Sequence, residues 1–246
     1  MPNAPYYRAD LARIHHEGFG FHADAVAPGI LKLLEGVRER DGLVLEIGCG
    51  SGLLTKYLVD AGHRVLAIDC SAAMLGLARV YVRGAVGVEQ LCLPDDVVPD
   101  ADAIVSVGHP LSYLDDEKQL DRSLTKIARA LRVGGMLAFD ICDFRWGEAR
   151  RDQPPMVWFG EDWVLITRTS VPDRRTFRRE MTTFFRATDE LWRRDDEIHD
   201  NVLVDVSKIP SLLARNGIRA EVKASFGDES LPTGLVAVIG YRAGRA

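Results

Sequence analysis

The sequence is poor in cysteine, with four in 246 residues (Cys49, Cys70, Cys92 and Cys142) and no C-x-x-C pair or metal-ligand spacing to a histidine. Neither a disulfide framework nor a zinc site is therefore expected, no metal is called for, and a reduced cytoplasm is the simplest setting. No apolar run approaches the roughly 20 residues that a membrane helix needs. The opening MPNAPYYRAD also lacks the charged start and apolar core of a signal peptide, so no membrane partner is expected and the location is read as cytoplasmic. Positive charge is in short supply as well: the net charge is -5 and the pI near 5.7. That balance disfavours a broad phosphate-binding surface, and no nucleic-acid partner is expected.

What is present is an ordinary hydrophobic share of 47% over a length sufficient for one large α/β domain with an insertion, or two small ones. The most informative stretch is VLEIGCGSG, Val44 to Gly52. Val44, Leu45 and Ile47 make a short apolar run, glycines follow at 48, 50 and 52, and Leu53, Leu54 and Leu58 begin a helical pattern. This is a strand, a tight loop and a helix N-terminus. Glycines let backbone approach a ligand closely, and the first N–H groups of the helix add partial positive charge there. A dinucleotide fingerprint starting at Gly48 needs a glycine at position 53, which is Leu53; that disfavours a nicotinamide-dependent dehydrogenase. Downstream, Val65 to Ile68 form a second apolar strand ending in Asp69. A carboxylate at the tip of the second strand is placed to accept the hydroxyls of a ribose.

G-x-G-x-G with Glu46 two residues ahead, followed by Asp69, resembles motif I and the acidic strand-two residue of the class I S-adenosylmethionine-dependent methyltransferases. The resemblance covers roughly residues 40 to 142. It implies a Rossmann-like α/β sheet of seven strands, mostly parallel with one antiparallel edge strand, and S-adenosyl-L-methionine as cofactor. It also implies positions around that cofactor: Glu46, Gly48, Cys49, Gly50 and Gly52 in the loop, with Gly48 and Gly50 against the amino-acid end, and Asp69 on the ribose. Cys70 and Met74 would flank the adenine, joined by a residue after the third strand near Gln90 or Leu91, while Gly108 closes the methionine end. Acceptor chemistry falls at the end of strand four, where His109 and Tyr113 become the candidate catalytic residues, with His199 as a further base.

Along the chain, residues 22 to 40 read as an amphipathic helix (Val26, Ile30, Leu33, Leu34, Val37) after a segment rich in aromatics and histidines but without regular pattern. Tyr6, Tyr7, Phe19 and Phe21 could fold over the cofactor. Ser71 suits an N-cap; strands are expected at Ala85 to Leu91, Ala103 to Val107 and Met136 to Ile141, with a helix from Asp115 to about Leu131 that the pair Gly134 and Gly135 ends. From Asp143 to about Val206 the rhythm becomes alternating, with turns at 160–162, 172–174 and 188–190: three or four antiparallel strands. A final helix over residues 207 to 216 and strands at 218–224 and 235–241 complete the sheet. The domain reading is thus 1–40 arm and helix, 41–142 cofactor-binding core, 143–206 small antiparallel β insertion, and 207–246 closing segment.

The insertion is placed to cover the site or to form a homodimer contact. On its strand from Thr176, Phe177, Arg179, Met181, Thr183 and Phe185 share one face and Arg178, Glu180, Thr182 and Phe184 the other; whichever face looks into the site, an arginine there would suit an acidic acceptor such as a nucleotide sugar or a carboxylate. The short chain, the acidic balance and the capping insertion favour methyl transfer to a small-molecule amine or hydroxyl. An RNA or protein methyltransferase would call for a basic rim or an added recognition module, and a non-catalytic S-adenosylmethionine-binding protein would be indifferent to loss of His109 or Tyr113.

Overall fold

The run Leu43–Ile47 (β1) is buried along almost its whole length, as expected of a strand covered on both faces. It pairs in parallel with Arg64–Asp69 (β2) on one side and Ala101–Ser106 (β4) on the other. The computed structural model describes residues 6–188 and 190–244, and its larger sheet has seven strands. Beyond β2 lies Gly87–Gln90 (β3); beyond β4 lie Leu131–Cys142 (β5), Leu235–Arg242 (β11) and Ile218–Lys223 (β10), giving the order β10-β11-β5-β4-β1-β2-β3. All neighbours are parallel except β11, which runs antiparallel to both β5 and β10. The chain order reverses between β1 and β4, and a crevice at the carboxyl ends of those two strands is where such sheets bind ligands.

Alternate strand residues feed two cores. Leu45, Leu66, Ile104 and Leu137 face the helices Glu117–Ala130 (α5) and Ile209–Arg215 (α7). Val44, Val65, Val105 and Met136 face Phe21–Glu39 (α2) and Leu53–Asp60 (α3). Ala72–Tyr81 (α4) starts at the expected N-cap, where Ser71 Oγ accepts from the Met74 amide. Two short elements stand where no pattern was read: Ala9–Gly18 (α1) and Phe144–Glu148 (α6).

The Gly134–Gly135 pair does not end α5. That helix stops at Ala130, and both glycines lie inside β5, beside the register shift between Ala101 and Ala103 in the β4–β5 pairing. A Cβ on Gly135 would stand 2.7 Å from the carbonyl oxygens of Arg132 and Asp102, so backbone crowding at the bulge, rather than helix termination, explains that glycine.

The insertion is a four-stranded antiparallel sheet, Met156–Phe159 (β6), Trp163–Asp173 (β7), Thr176–Arg186 (β8) and Trp192–Val202 (β9), in that order. The turn expected at 188–190 includes Asp189, which is outside the described residues. On β8, Phe177, Met181, Thr183 and Phe185 are buried and face inward, which places Arg179 on the inner face too. Leu11 and Ile14 of α1 pack on Trp163, Leu165, Met181 and Phe185, so α1 fills the space between insertion and core.

Candidate active site

Three glycines form the loop after β1, and each has a different neighbour. A Cβ on Gly48 (φ +69°) would lie 2.3 Å from Pro110, and one on Gly52 (φ +85°) 2.5 Å from Val82. Gly50 (φ +55°) meets nothing closer than Met74 at 3.9 Å. Packing thus dictates the outer two, while Gly50 leaves room in front of the loop. Asp69 closes the loop from β2: its Oδ2 accepts from the Gly50 amide at 2.8 Å and its Oδ1 from the Ser71 amide at 2.8 Å. Burial raises its pKa, and those amide bonds pull it back. Met74 lies buried under Gly50.

Glu46 sits beneath this loop, 3% exposed, with Oε2 lacking a partner. Burial pushes its carboxyl up to about 8, against a smaller opposing pull from Thr55 and with a small further rise from Asp69. Cys49, also buried in the loop, has its thiol pushed well up by burial.

At the adenine-side positions the expectation of no disulfide is overturned. Cys70 and Cys92 are joined, with Cα atoms 4.8 Å apart. The cause is topological. β2 and β3 are parallel neighbours, with Asp69 opposite Gln90, so residues that follow each strand come side by side although 22 positions separate them. Their common place just past adjacent strand ends was the signal. Gln90 donates to the Cys70 carbonyl at 2.9 Å, and the Leu91 amide donates to the Asp69 carbonyl at 3.1 Å, so both stand at this edge.

Across the crevice, β4 runs into Gly108 and His109. His109 is a non-glycine residue in the left-handed region at φ +51°, a conformation that persists only where its surroundings hold it. Asp140 holds it. This fully buried carboxylate near the end of β5 accepts from the Gly108 amide at 3.0 Å, the His109 amide at 2.6 Å and the His22 ring at 2.8 Å. A 3-10 turn over Pro110–Tyr113 follows, pinned where Ser112 Oγ accepts from the Cys142 amide. Tyr113 is thereby stacked on His109 with centroids 5.7 Å apart, and it meets His199 at 5.6 Å. The three candidate catalytic side chains share one cluster. Burial depresses the pKa of His109 strongly and that of His199 less, and raises that of Tyr113, so all three are neutral near pH 7. His199 Nε2 is committed to Glu197 at 2.9 Å.

The N-terminal arm closes over this cluster. The Tyr7 and Arg8 amides donate to the two Glu197 oxygens at 2.8 and 2.9 Å, the Tyr7 carbonyl accepts from Ser71 Oγ at 2.8 Å, and the hydroxyls of Tyr7 and Tyr113 are 2.9 Å apart. Tyr6 packs edge-on against Tyr113 and His199. Of the other two aromatics considered for this role, Phe19 instead contacts Trp158 and Phe21 is 61% exposed. Sequence reasoning missed Asp140, Glu197, Asn201 and Trp146. Asp140 had a signal, a carboxylate inside the apolar run MLAFDIC; the others depend on which strand face turns inward.

Residues 44–135 match a family model described as a methyltransferase domain. The fold agrees with solved enzymes of that kind: the sugar N-methyltransferase KedS8 from Streptoalloteichus sp superposes with a TM-score of 0.79 at 22% identity, covering 99% of this chain and 97% of that one. CalS10, an amino pentose methyltransferase from Micromonospora echinaspora solved with S-adenosylmethionine bound, gives 0.71 at 15% identity over 99% and 100%. The chain carries a methyltransferase domain over residues 44–135 and shares the fold of solved methyltransferases. Among sequence relatives, a protein of Geobacillus sp. (strain WCH70), named only provisionally as a methyltransferase, is 25% identical over 81% of this chain and 83% of its own. The malonyl-[acyl-carrier protein] O-methyltransferase of Methylococcus capsulatus is 29% identical over 75% and 67%. The methyltransferase loop fits its cofactor on its own terms: open space before Gly50, the Asp69 carboxylate at the rim, and an unsatisfied Glu46 oxygen beneath.

Proposed function

We propose that the protein transfers a methyl group from S-adenosylmethionine to the amine or hydroxyl of a small molecule. The observation that carries this reading is the convergence of the Gly50–Asp69 loop and the His109–Tyr113–His199 cluster on one edge of the sheet, under a single arm. In it, Gly48 and Gly50 receive the amino-acid end of the cofactor and Asp69 the ribose. Met74, the Cys70–Cys92 edge, Gln90 and Leu91 border the adenine, and Gly108 closes the methionine end. The cofactor supplies a methyl group on a positively charged sulfur. The chain's own work is to align an acceptor with it and exclude water. Gly108 and His109, fixed by Asp140, form the wall nearest the transfer. Neutral His109, Tyr113 and His199 can accept hydrogen bonds from an acceptor N–H or O–H and orient its lone pair, and a neutral imidazole can take the proton released. The enclosed cluster, together with a structural neighbour named as a sugar N-methyltransferase, supports a small acceptor over a folded macromolecule.

Titration calorimetry with S-adenosylmethionine, S-adenosylhomocysteine and NAD tests the cofactor pose. Binding is expected for the first two and not for NAD. Asp69→Ala is expected to weaken it by roughly 2 to 4 kcal/mol, as for two hydrogen bonds to a charged acceptor; unchanged affinity would remove Asp69 from the ribose. Release of S-adenosylhomocysteine across a metabolite library identifies the acceptor.

A further inference from the structure

Arg179 is the one inward-facing cation of β8, and its charge has no carboxylate to meet. Its Nη2 donates to the Tyr113 hydroxyl and, at 3.4 Å, to Asn201 Oδ1. Its Nε is sealed from solvent without any partner. The two nearby carboxylates are spent: Asp140 on His22 and two amides, Glu197 on His199 and two amides. Arg179 forms no ion pair among the described residues, whereas its neighbours on β8 and β9 do, Arg178 with Asp200 and Arg194 with Asp196. An uncompensated buried cation is costly.

Further buried donor or ring nitrogens around it lack partners, among them Asn201 Nδ2, Trp146 Nε1, His109 Nδ1 and His199 Nδ1. These residues belong to one neighbourhood. His109 lies 5.3 Å from the Trp146 ring and stacks on Tyr113, and Tyr113 in turn lies under the Arg179 guanidinium at 5.6 Å. So many unsatisfied polar groups in one enclosed place point to something that occupies them. A second arginine, Arg150, stands close enough to disfavour the charge of His109, but its Nη1 is used by the carbonyls of Trp146 and Thr233. The free Nε edge of Arg179 therefore leaves one guanidinium fork to meet an anionic group. A carboxylate matches it, since two oxygens in a plane meet two guanidinium N–H groups side by side.

We infer that the methyl acceptor carries a carboxylate that seats on Arg179, with Asn201 Nδ2 as a further donor. This rests on the proposed methyltransfer reading and narrows its acceptor to amino or hydroxy acids. The carboxylate is the handle: gripped from β8, it presents the acceptor's nitrogen or oxygen toward His109, and it balances positive charge that the sulfonium of the cofactor would otherwise add to that of Arg179.

The test uses the full chain saturated with S-adenosylhomocysteine and follows its melting temperature against matched probes at equal ionic strength: glycine and glycinamide, benzoate and benzamide, and inorganic phosphate and pyrophosphate. The acids are expected to raise the melting temperature and the amides are not. Arg179→Met is expected to weaken the effect of the acids by roughly 30-fold or more, the loss of hydrogen bonds to a charged partner, while its calorimetric affinity for S-adenosylhomocysteine stays unchanged. Should Arg179→Met not fold, Arg179→Lys keeps the charge without the fork and is expected to weaken the acids about tenfold. Equal protection by acids and amides, full protection of the variants, or protection by phosphate or pyrophosphate alone would overturn the inference. Failure of the wild type to bind S-adenosylhomocysteine would instead overturn the methyltransfer reading, whatever the acids do.

Discussion

Glu46 illustrates how a single residue can tie the site to the stability of the whole chain. In the unfolded chain its carboxyl titrates in the usual range near 4.3, but in the folded protein burial holds it up to about 8. Between those values the folded state keeps a proton that the unfolded state has released. The contribution to stability is therefore fully present below pH 4.3 and is lost as pH rises toward 8. His15 works in the opposite sense, since burial lowers its imidazole to about 4, and so do His63, His109 and His199, also lowered by burial; their contributions grow as the unfolded imidazoles lose protons around pH 6.5. Urea midpoints of the wild type and of Glu46→Gln at pH 6.5 and pH 8 isolate Glu46, because the histidine contributions are common to both proteins and cancel in the difference. Relative to Glu46→Gln, neutral at every pH, the wild type is expected to lose up to about 1.4 kcal/mol per pH unit across that window. A variant as pH-sensitive as the wild type would show that Glu46 is already ionised in the fold.

The elements differ in how legible they were, and the reason is the range of the interactions that define them. The strand–loop–helix unit around Gly50 was readable because apolar run, glycines and helix pattern are contiguous, and the two faces of β8 followed from simple alternation, though which of them turns inward is set by packing against α1 and the larger sheet. The end of α5 was misread because glycines that suit a helix C-terminus also suit a bulge, and only the approach of the Asp102 carbonyl distinguishes the two. The arm was half legible: its aromatics stood out, but its latch did not, because Glu197 is 190 residues from Tyr7. That latch makes a prediction. Glu197 accepts from two arm amides and the His199 ring while itself 6% exposed, so Glu197→Ala strips three hydrogen bonds from a buried site. A stability loss of about 2 to 4 kcal/mol is expected, with the arm released first. Limited trypsin digestion should then cut after Arg8 at a protein-to-protease ratio that leaves the wild type intact, and the apparent affinity for the acceptor should fall more than that for S-adenosylhomocysteine. Equal resistance of the two proteins to trypsin would mean that the arm is held mainly elsewhere, by Ser71 or by the Arg8–Asp195 pair.

At the scale of the molecule, the larger sheet and the insertion are stitched together at several points that sequence alone separates widely. Trp163 donates to Glu17 at 2.9 Å, Arg193 pairs with Asp10, and Arg175 with Glu117. Phe177 of β8 and Leu203 share a buried cluster with Cys142 and Leu235 of the larger sheet. A division of the chain at residues 143 and 206 describes its order along the sequence, but these contacts predict one cooperative unit in solution. The tryptophans offer a direct test, because all four (Trp146, Trp158, Trp163 and Trp192) lie between those boundaries. Tryptophan fluorescence therefore reports on the insertion, while far-UV circular dichroism reports mainly on the helices of the core. The two probes are expected to trace the same urea transition, as a two-state domain requires. S-adenosylhomocysteine should displace both curves together, by an amount set by its concentration relative to its dissociation constant. An early fluorescence transition that the ligand leaves in place would show that the insertion folds and unfolds independently of the cofactor site. The arm and Arg179 would then have to be understood as a lid that docks on the core rather than as part of it.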